Sequence, residues 1–153
     1  MKKIGLLILV LALGGILALV GFGSSAAANG GRPFMTVMLG ANEVPGPGDP
    51  DGEGIAQLTL NPGQGEVCFD LSVTGIVLPA TGAHIHEAPV GVAGPIRVPL
   101  TPPDATGHSS GCVENVSRER IQDIIQNPEN YYVNVHNSVY PAGALRGQLS
   151  LQP

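Results

Sequence analysis

Three histidines have the residue type and the spacing to hold a metal ion. His84 and His86 stand two apart in Ala83-His84-Ile85-His86-Glu87, and His136 ends Tyr132-Val133-Asn134-Val135-His136. Because residues two apart in a β-strand share a face, both segments would place histidines on one face and apolar residues on the other. Imidazole nitrogens suit copper and zinc, and a set of only three such ligands leaves a position open to water or an anion. The alternative is three solvated polar residues on the outer face of a sheet.

Short strands would have to position these histidines. The clearest is 66–73, where Val67, Phe69 and Leu71 alternate with polar residues. A turn at 61–65, rich in Asn, Pro and Gly, joins this strand to the preceding one as in a β-hairpin. The expected strands are 34–39, 55–60, 66–73, 83–87, 96–100, 112–113, 131–136 and 144–151, with a long polar connection at 101–111. This pattern predicts an all-β fold, an antiparallel β-sandwich or barrel.

One short helix is expected at 117–126. Ser117 has the side chain of a helix N-cap, and Ile121, Ile124 and Ile125 have the i, i+3, i+4 spacing of an apolar helix face. The dipeptide Asn127-Pro128 would end the helix, because proline cannot continue it.

The N-terminus resembles a secretory signal peptide. Lys2 and Lys3 precede an apolar run at 4–22, and small residues follow up to Ala28. We expect cleavage after Ala28, which removes 1–28 and leaves a flexible lead at 29–33 before the domain. The alternative is an uncleaved segment that anchors the protein, since about 19 apolar residues nearly span a bilayer; only in that form would the chain contact a membrane. The expected location is therefore secreted or extracytoplasmic.

The mature chain would be strongly acidic. Without residues 1–28 it contains no lysine, and five arginines face twelve acidic residues, a formal net charge of −7. This charge argues against nucleic acid as a partner, because affinity there comes mainly from neutralising phosphates. The two cysteines, Cys68 and Cys112, would meet an oxidising compartment and are expected to form a disulfide.

Four motifs resemble the CHRD domain family, named after chordin, an extracellular antagonist of bone morphogenetic proteins. They are Gly40-Ala41-Asn42-Glu43-Val44-Pro45, Ala83-His84-Ile85-His86, Tyr132-Val133-Asn134-Val135-His136 and Pro141-Ala142-Gly143-Ala144-Leu145-Arg146-Gly147-Gln148-Leu149. The resemblance implies one CHRD domain at 34–152, an immunoglobulin-like β-barrel and an extracytoplasmic location. With no complete catalytic set in the sequence, it favours a non-catalytic extracellular binding module that docks an extracellular protein or surface ligand.

A fainter resemblance connects the chain to the Cu/Zn superoxide dismutases, which are Greek-key β-barrels. It implies that His84, His86 and His136 are copper ligands, and that Arg146, in Gly143-Ala144-Leu145-Arg146, attracts an anion. The histidine that bridges copper and zinc in that family has no counterpart here, and neither do the zinc ligands. A copper-binding redox protein is therefore the alternative function.

Four residues are candidates for the surroundings of the histidines. Asn134 shares the face of His136, and Arg146 would be a fixed cation near the site or an outward strand residue paired with a carboxylate. Glu43 either approaches the histidine face or caps a turn. His108, in the expected connection 101–111, is the one histidine left over.

Cleavage of the signal peptide is the first testable prediction. Protein recovered from outside the cell should lack residues 1–28, which N-terminal sequencing or intact mass spectrometry will show. Protein that still begins at Met1 and fractionates with membranes would instead demonstrate the anchored form.

Overall fold

A computed structural model describes residues 30–150 of the chain. The expected signal peptide at 1–28 lies outside the described residues. Within 30–150, no helix combines the length and the hydropathy needed to cross a bilayer.

Eight antiparallel strands form one sheet in the described part of the chain. The strands are β1 (Arg32–Leu39), β2 (Glu53–Asn61), β3 (Glu66–Thr74), β4 (Gly82–Glu87), β5 (Ile96–Leu100), β6 (His108–Val113), β7 (Tyr131–His136) and β8 (Leu145–Gln148). Their order across the sheet is β5-β4-β7-β8-β1-β2-β3-β6. The two edge strands approach each other, and Ser109 Oγ on β6 donates a hydrogen bond of 2.8 Å to the Thr101 carbonyl just after β5. The sheet is therefore a nearly closed barrel, which confirms the all-β prediction.

The β2–β3 hairpin shows how the local sequence sets the strands. Asn61 Oδ1 accepts hydrogen bonds from the backbone N–H groups of Gly63 and Gln64 at 3.0 and 3.1 Å, so the side chain itself closes the turn. This turn fixes the register, in which Leu58 of β2 lies opposite Phe69 of β3. Both side chains are buried in the core, as the alternation predicts.

The predicted helix is also confirmed, and it packs against the barrel interior. The helix α1 (Arg118–Gln126) begins after Ser117, whose Oγ accepts a hydrogen bond of 3.2 Å from the Arg120 backbone N–H. Ile121 and Ile124 are fully buried in the same core as the strands. Burial of an isoleucine side chain contributes about 1.5–3 kcal/mol, so these two residues hold the helix in place.

Several strand boundaries differ from the sequence expectations, and those of β1, β6 and β8 have a clear physical meaning. The strand β1 begins at Arg32, inside the expected flexible lead, because residues 32 and 33 pair with β2. The strand β6 begins at His108, inside the expected connection 101–111. Its Ser and Gly residues give no apolar alternation, but they pair along β3. The strand β8 is shorter than 144–151, since it covers only Leu145–Gln148.

The disulfide between Cys68 and Cys112 is present, as predicted. The two cysteines are direct partners in the register of β3 and β6. The bond therefore attaches the edge strand β6, which is poor in apolar residues, to the well-packed strand β3.

Replacing both cysteines by serine should lower the free energy of unfolding by about 4 kcal/mol, because the bond closes a loop across 44 positions. Denaturant unfolding of the oxidised protein and of the double variant measures the difference. Reductant should destabilise the wild type to the level of the variant and leave the variant unchanged. Two alkylatable thiols in the unreduced wild type would contradict the pairing.

Candidate metal centre

The register of β4 with β7 brings the three histidines together. His84 lies opposite Asn134, and Gly82 lies opposite His136, so His136 is diagonal to His84 on the same face. The ring centroids of His84 and His136 are 5.0 Å apart, and those of His84 and His86 are 5.4 Å apart. Each of the three residues offers a nitrogen, and these nitrogens all lie within 4.8 Å of one another. One metal ion could therefore contact all three.

Backbone carbonyls fix the tautomers of two of these rings. His86 Nδ1 lies 2.8 Å from the Gly94 carbonyl, and His136 Nδ1 lies 3.1 Å from the Pro141 carbonyl. A carbonyl oxygen only accepts, so both Nδ1 atoms carry the proton and both Nε2 atoms present a lone pair. The Nε2 atom of His86 is buried and has no hydrogen-bond partner among residues 30–150.

The third ring closes the cluster through a hydrogen bond between histidines. His84 Nδ1 lies 3.1 Å from His136 Nε2. Because His136 Nε2 is the acceptor, His84 Nδ1 must donate the proton of this bond. If His84 ligated a metal through Nδ1, this proton would move to its other nitrogen.

Burial keeps all three imidazoles neutral near pH 7. Burial, with smaller contributions from the nearby His136 and His86 rings, lowers the pKa of His84 to about 4. Burial is also the largest cause of the lowered pKa of His86 and of His136. Neutral imidazole is the form that binds metal ions, so the site is in its ligand form at neutral pH.

Arg146 is buried beneath the loop 88–95, which we call the carbonyl loop. Only 1% of its surface is exposed. Its guanidinium donates hydrogen bonds of 2.9 Å to the carbonyls of Val92 and Pro89, and one of 3.2 Å to Gln148 Oε1. The same group lies 3.5 Å above the centre of the Tyr132 ring. Arg146 thus lies near the histidines, but its donors are engaged by the carbonyl loop and its neighbour on β8.

Glu43 approaches the same outer face from the segment that follows β1. Its carboxylate accepts a hydrogen bond from Asn134 Nδ2, and Asn134 lies between His84 on β4 and Arg146 on β8. Burial raises the pKa of Glu43 to about 7, although the Val44 backbone N–H, Arg146 and Asn134 all act to lower it. Glu43 and Asn134 therefore support the face without belonging to the group of three ligands.

His108 is not brought to the cluster. It lies on β6, where its Nδ1 is 3.4 Å from Ser72 Oγ and 3.9 Å from Asp70 Oδ1. The group of potential metal ligands on β4 and β7 contains only His84, His86 and His136.

The groups that orient the rings are one aromatic side chain and two backbone carbonyls. Tyr132 stacks on His86 with centroids 4.8 Å apart and an angle of 11° between the planes. Gly94 and Pro141 act through backbone carbonyls, which leave no signature in residue type. Only Tyr132 gave a signal, since it shares the face of Asn134 and His136 by alternation.

Glu43→Gln tests the buried carboxyl. The folded wild type retains a proton that the unfolded chain releases above the ordinary pKa of 4.5, and the folded pKa is about 7. The stability of the wild type relative to the variant should therefore fall as the pH rises from 4.5 to 7, by on the order of 2 kcal/mol. The lowered pKa values of the histidines destabilise both the wild type and the variant on acidification. This effect cancels when the two free energies of unfolding are subtracted. Urea unfolding across this range measures it, and a difference independent of pH would refute the raised pKa.

Comparison with known proteins identifies one family. The model of the CHRD domain matches residues 34–149, most of the chain. No curated protein and no solved structure matches it. The matched range contains all the motifs that carried the resemblance, including both histidine segments and the segment around Arg146. The chain belongs to the CHRD domain family.

Proposed function

We propose that this protein is an extracytoplasmic, non-catalytic binding module that holds one copper or zinc ion on His84, His86 and His136. The observation that carries the proposal is the buried Nε2 of His86, which has a lone pair and no partner among the described residues. An unpaired buried polar group costs about 1–3 kcal/mol. A metal ion at this position would satisfy the lone pair.

The chemistry of the donor set supports copper or zinc. Three neutral imidazole nitrogens are ligands of intermediate softness, which these two ions accept readily. The hydrogen bonds to Gly94 and Pro141 resemble the outer contacts that orient metal-bound histidines in proteins. The three protein ligands leave a coordination position for water, an anion or a group from a partner.

An extracytoplasmic location is supported by two independent features. The disulfide between Cys68 and Cys112 suits an oxidising compartment. The N-terminal segment 1–28 has the pattern of a signal peptide. Membership in a family named after an extracellular protein agrees with both.

A docking role is supported by the outer face of β1 and β2. Val37 and Ile55 are direct partners in the register, and both are about half exposed, at 54% and 43%. They line a shallow cavity of about 320 Å³ together with Glu53. A partner that covers these two side chains would remove apolar surface from water, which favours association. We propose an extracellular protein or a surface ligand as the partner.

A redox function with copper is the second candidate, favoured by the open position of a three-histidine site. A bimetallic site of the Cu/Zn superoxide dismutase type is not supported within residues 30–150. The fourth histidine, His108, lies on β6 with Ser72 and Asp70, away from the group of three.

Calorimetric titration of the mature protein with Zn²⁺ and with Cu²⁺ tests the site. We expect one equivalent to bind to the wild type. His84→Ala and His136→Ala should each weaken binding more than about 100-fold. This is more than the usual loss when a residue that only orients a metal ligand is removed. His108→Ala is the matched control, because it removes an imidazole outside the group, and it should bind like the wild type.

Two outcomes would refute the metal site: no stoichiometric binding by the wild type, or equal binding by His84→Ala. If copper binds, a superoxide assay on the loaded protein separates the two functions. Dismutation that is lost in His136→Ala supports the redox protein. Stoichiometric copper without activity supports the binding module.

A further inference from the structure

We infer that Arg146 is a positioning residue of the three-histidine site, acting on His86 through the carbonyl loop. This inference rests on the proposed metal site. It assigns the guanidinium a role different from attracting an anion, because Arg146 is buried and its guanidinium is bonded to neutral oxygens.

The carbonyl loop is the element that orients His86. Its Gly94 carbonyl accepts the Nδ1 proton of His86, and its Gly94 N–H donates to the Tyr132 hydroxyl at 3.1 Å. A Cβ atom at position 94 would lie 2.0 Å from the Glu87 carbonyl, so only glycine permits this close approach. The position of the Gly94 carbonyl therefore decides which nitrogen of His86 faces the cluster.

Side chains from β8 hold the carbonyl loop from beneath. Arg146 donates to the carbonyls of Pro89 and Val92, and Gln148 Nε2 donates to the carbonyl of Ala88 at 2.9 Å. A planar guanidinium can reach two carbonyls at once, whereas an ammonium group is a point donor. Within the described residues, Arg146 is the side chain that bonds both Pro89 and Val92, so it fixes the middle of the loop.

A second path connects Arg146 to His86 through stacked groups. The guanidinium covers one side of the Tyr132 ring at 3.5 Å, and the same ring stacks on His86 with centroids 4.8 Å apart. A planar guanidinium stacks flat on an aromatic ring, whereas a lysine ammonium group approaches the ring face only as a point charge. The tilt of the His86 ring and the choice of its tautomer thus both depend on Arg146.

Substitution of Arg146 distinguishes positioning from simple electrostatics, because the two effects have opposite signs. Loss of a nearby positive charge alone should strengthen the binding of a metal cation. Loss of the orientation of His86 should weaken metal binding by about 10- to 100-fold, the usual effect of removing a residue that orients a metal ligand. We expect Arg146→Gln and Arg146→Lys both to bind Zn²⁺ and Cu²⁺ more weakly, although lysine keeps the charge. Arg120→Gln, which removes a cation bonded to Glu87 on the other side of β4, is the charge control.

The tautomer of His86 in the metal-free protein is the second readout. Nitrogen-15 NMR of the imidazoles should show His86 protonated at Nδ1 in the wild type and a mixture of tautomers in both Arg146 variants. Circular dichroism establishes that each variant is folded, and if Arg146→Gln is not, Arg146→Lys decides the question.

Equal or tighter metal binding by the folded variants, with His86 still protonated at Nδ1, would overturn the inference. A wild type that binds no metal contradicts the proposed function instead. In that case the NMR result alone decides whether Arg146 fixes the tautomer of His86.

Discussion

The antiparallel pairing of β4 with β7 is the constraint on which the candidate site depends. Ala83 and Ile85 on β4 are fully buried, and so are Val133 and Val135 on β7. A shift of one residue would turn these side chains outward and place histidines in the core. The transfer energy of four apolar side chains therefore opposes any register shifted by an odd number of residues. The core fixes the histidines on the outer face although it makes no use of their chemistry.

The outer face of β4, β7 and β8 is covered, which is unusual for the polar side of an antiparallel sheet. The carbonyl loop covers Arg146, and Glu43 covers Asn134, whose exposed fraction is only 2%. A Cβ atom at Gly143 would lie 2.4 Å from Glu43 Oε2, so glycine is required for this carboxyl to fit. Buried polar groups on this face need hydrogen-bond partners, and most of them have one. Among the described residues, Asn134 Oδ1 and His86 Nε2 are exceptions.

Alternation of residue types was enough to predict the strands that carry the histidines and the face they share. It predicted only the end of β6, at 112–113, because Ser109 and Gly111 are held by pairing with β3 and not by an apolar pattern of their own. The contact of His84 with His136 depends on pairing between strands 52 positions apart in sequence, which local patterns do not encode. The carbonyls that set the tautomers belong to the backbone, so residue types alone do not predict them.

Burial shifts the pKa values of both acidic and basic side chains on this face. Burial lowers the pKa of His84 and raises that of Glu43, so both groups tend toward their neutral forms near pH 7. Arg146 keeps its charge because the basicity of guanidinium is far above neutral pH even when burial lowers its pKa. Carbonyl dipoles and the face of an aromatic ring solvate this cation in place of water. Burial of this face thus keeps the imidazoles in the neutral form that binds a metal ion. The carbonyl loop, which takes part in this burial, also supplies the oxygens that solvate the buried guanidinium.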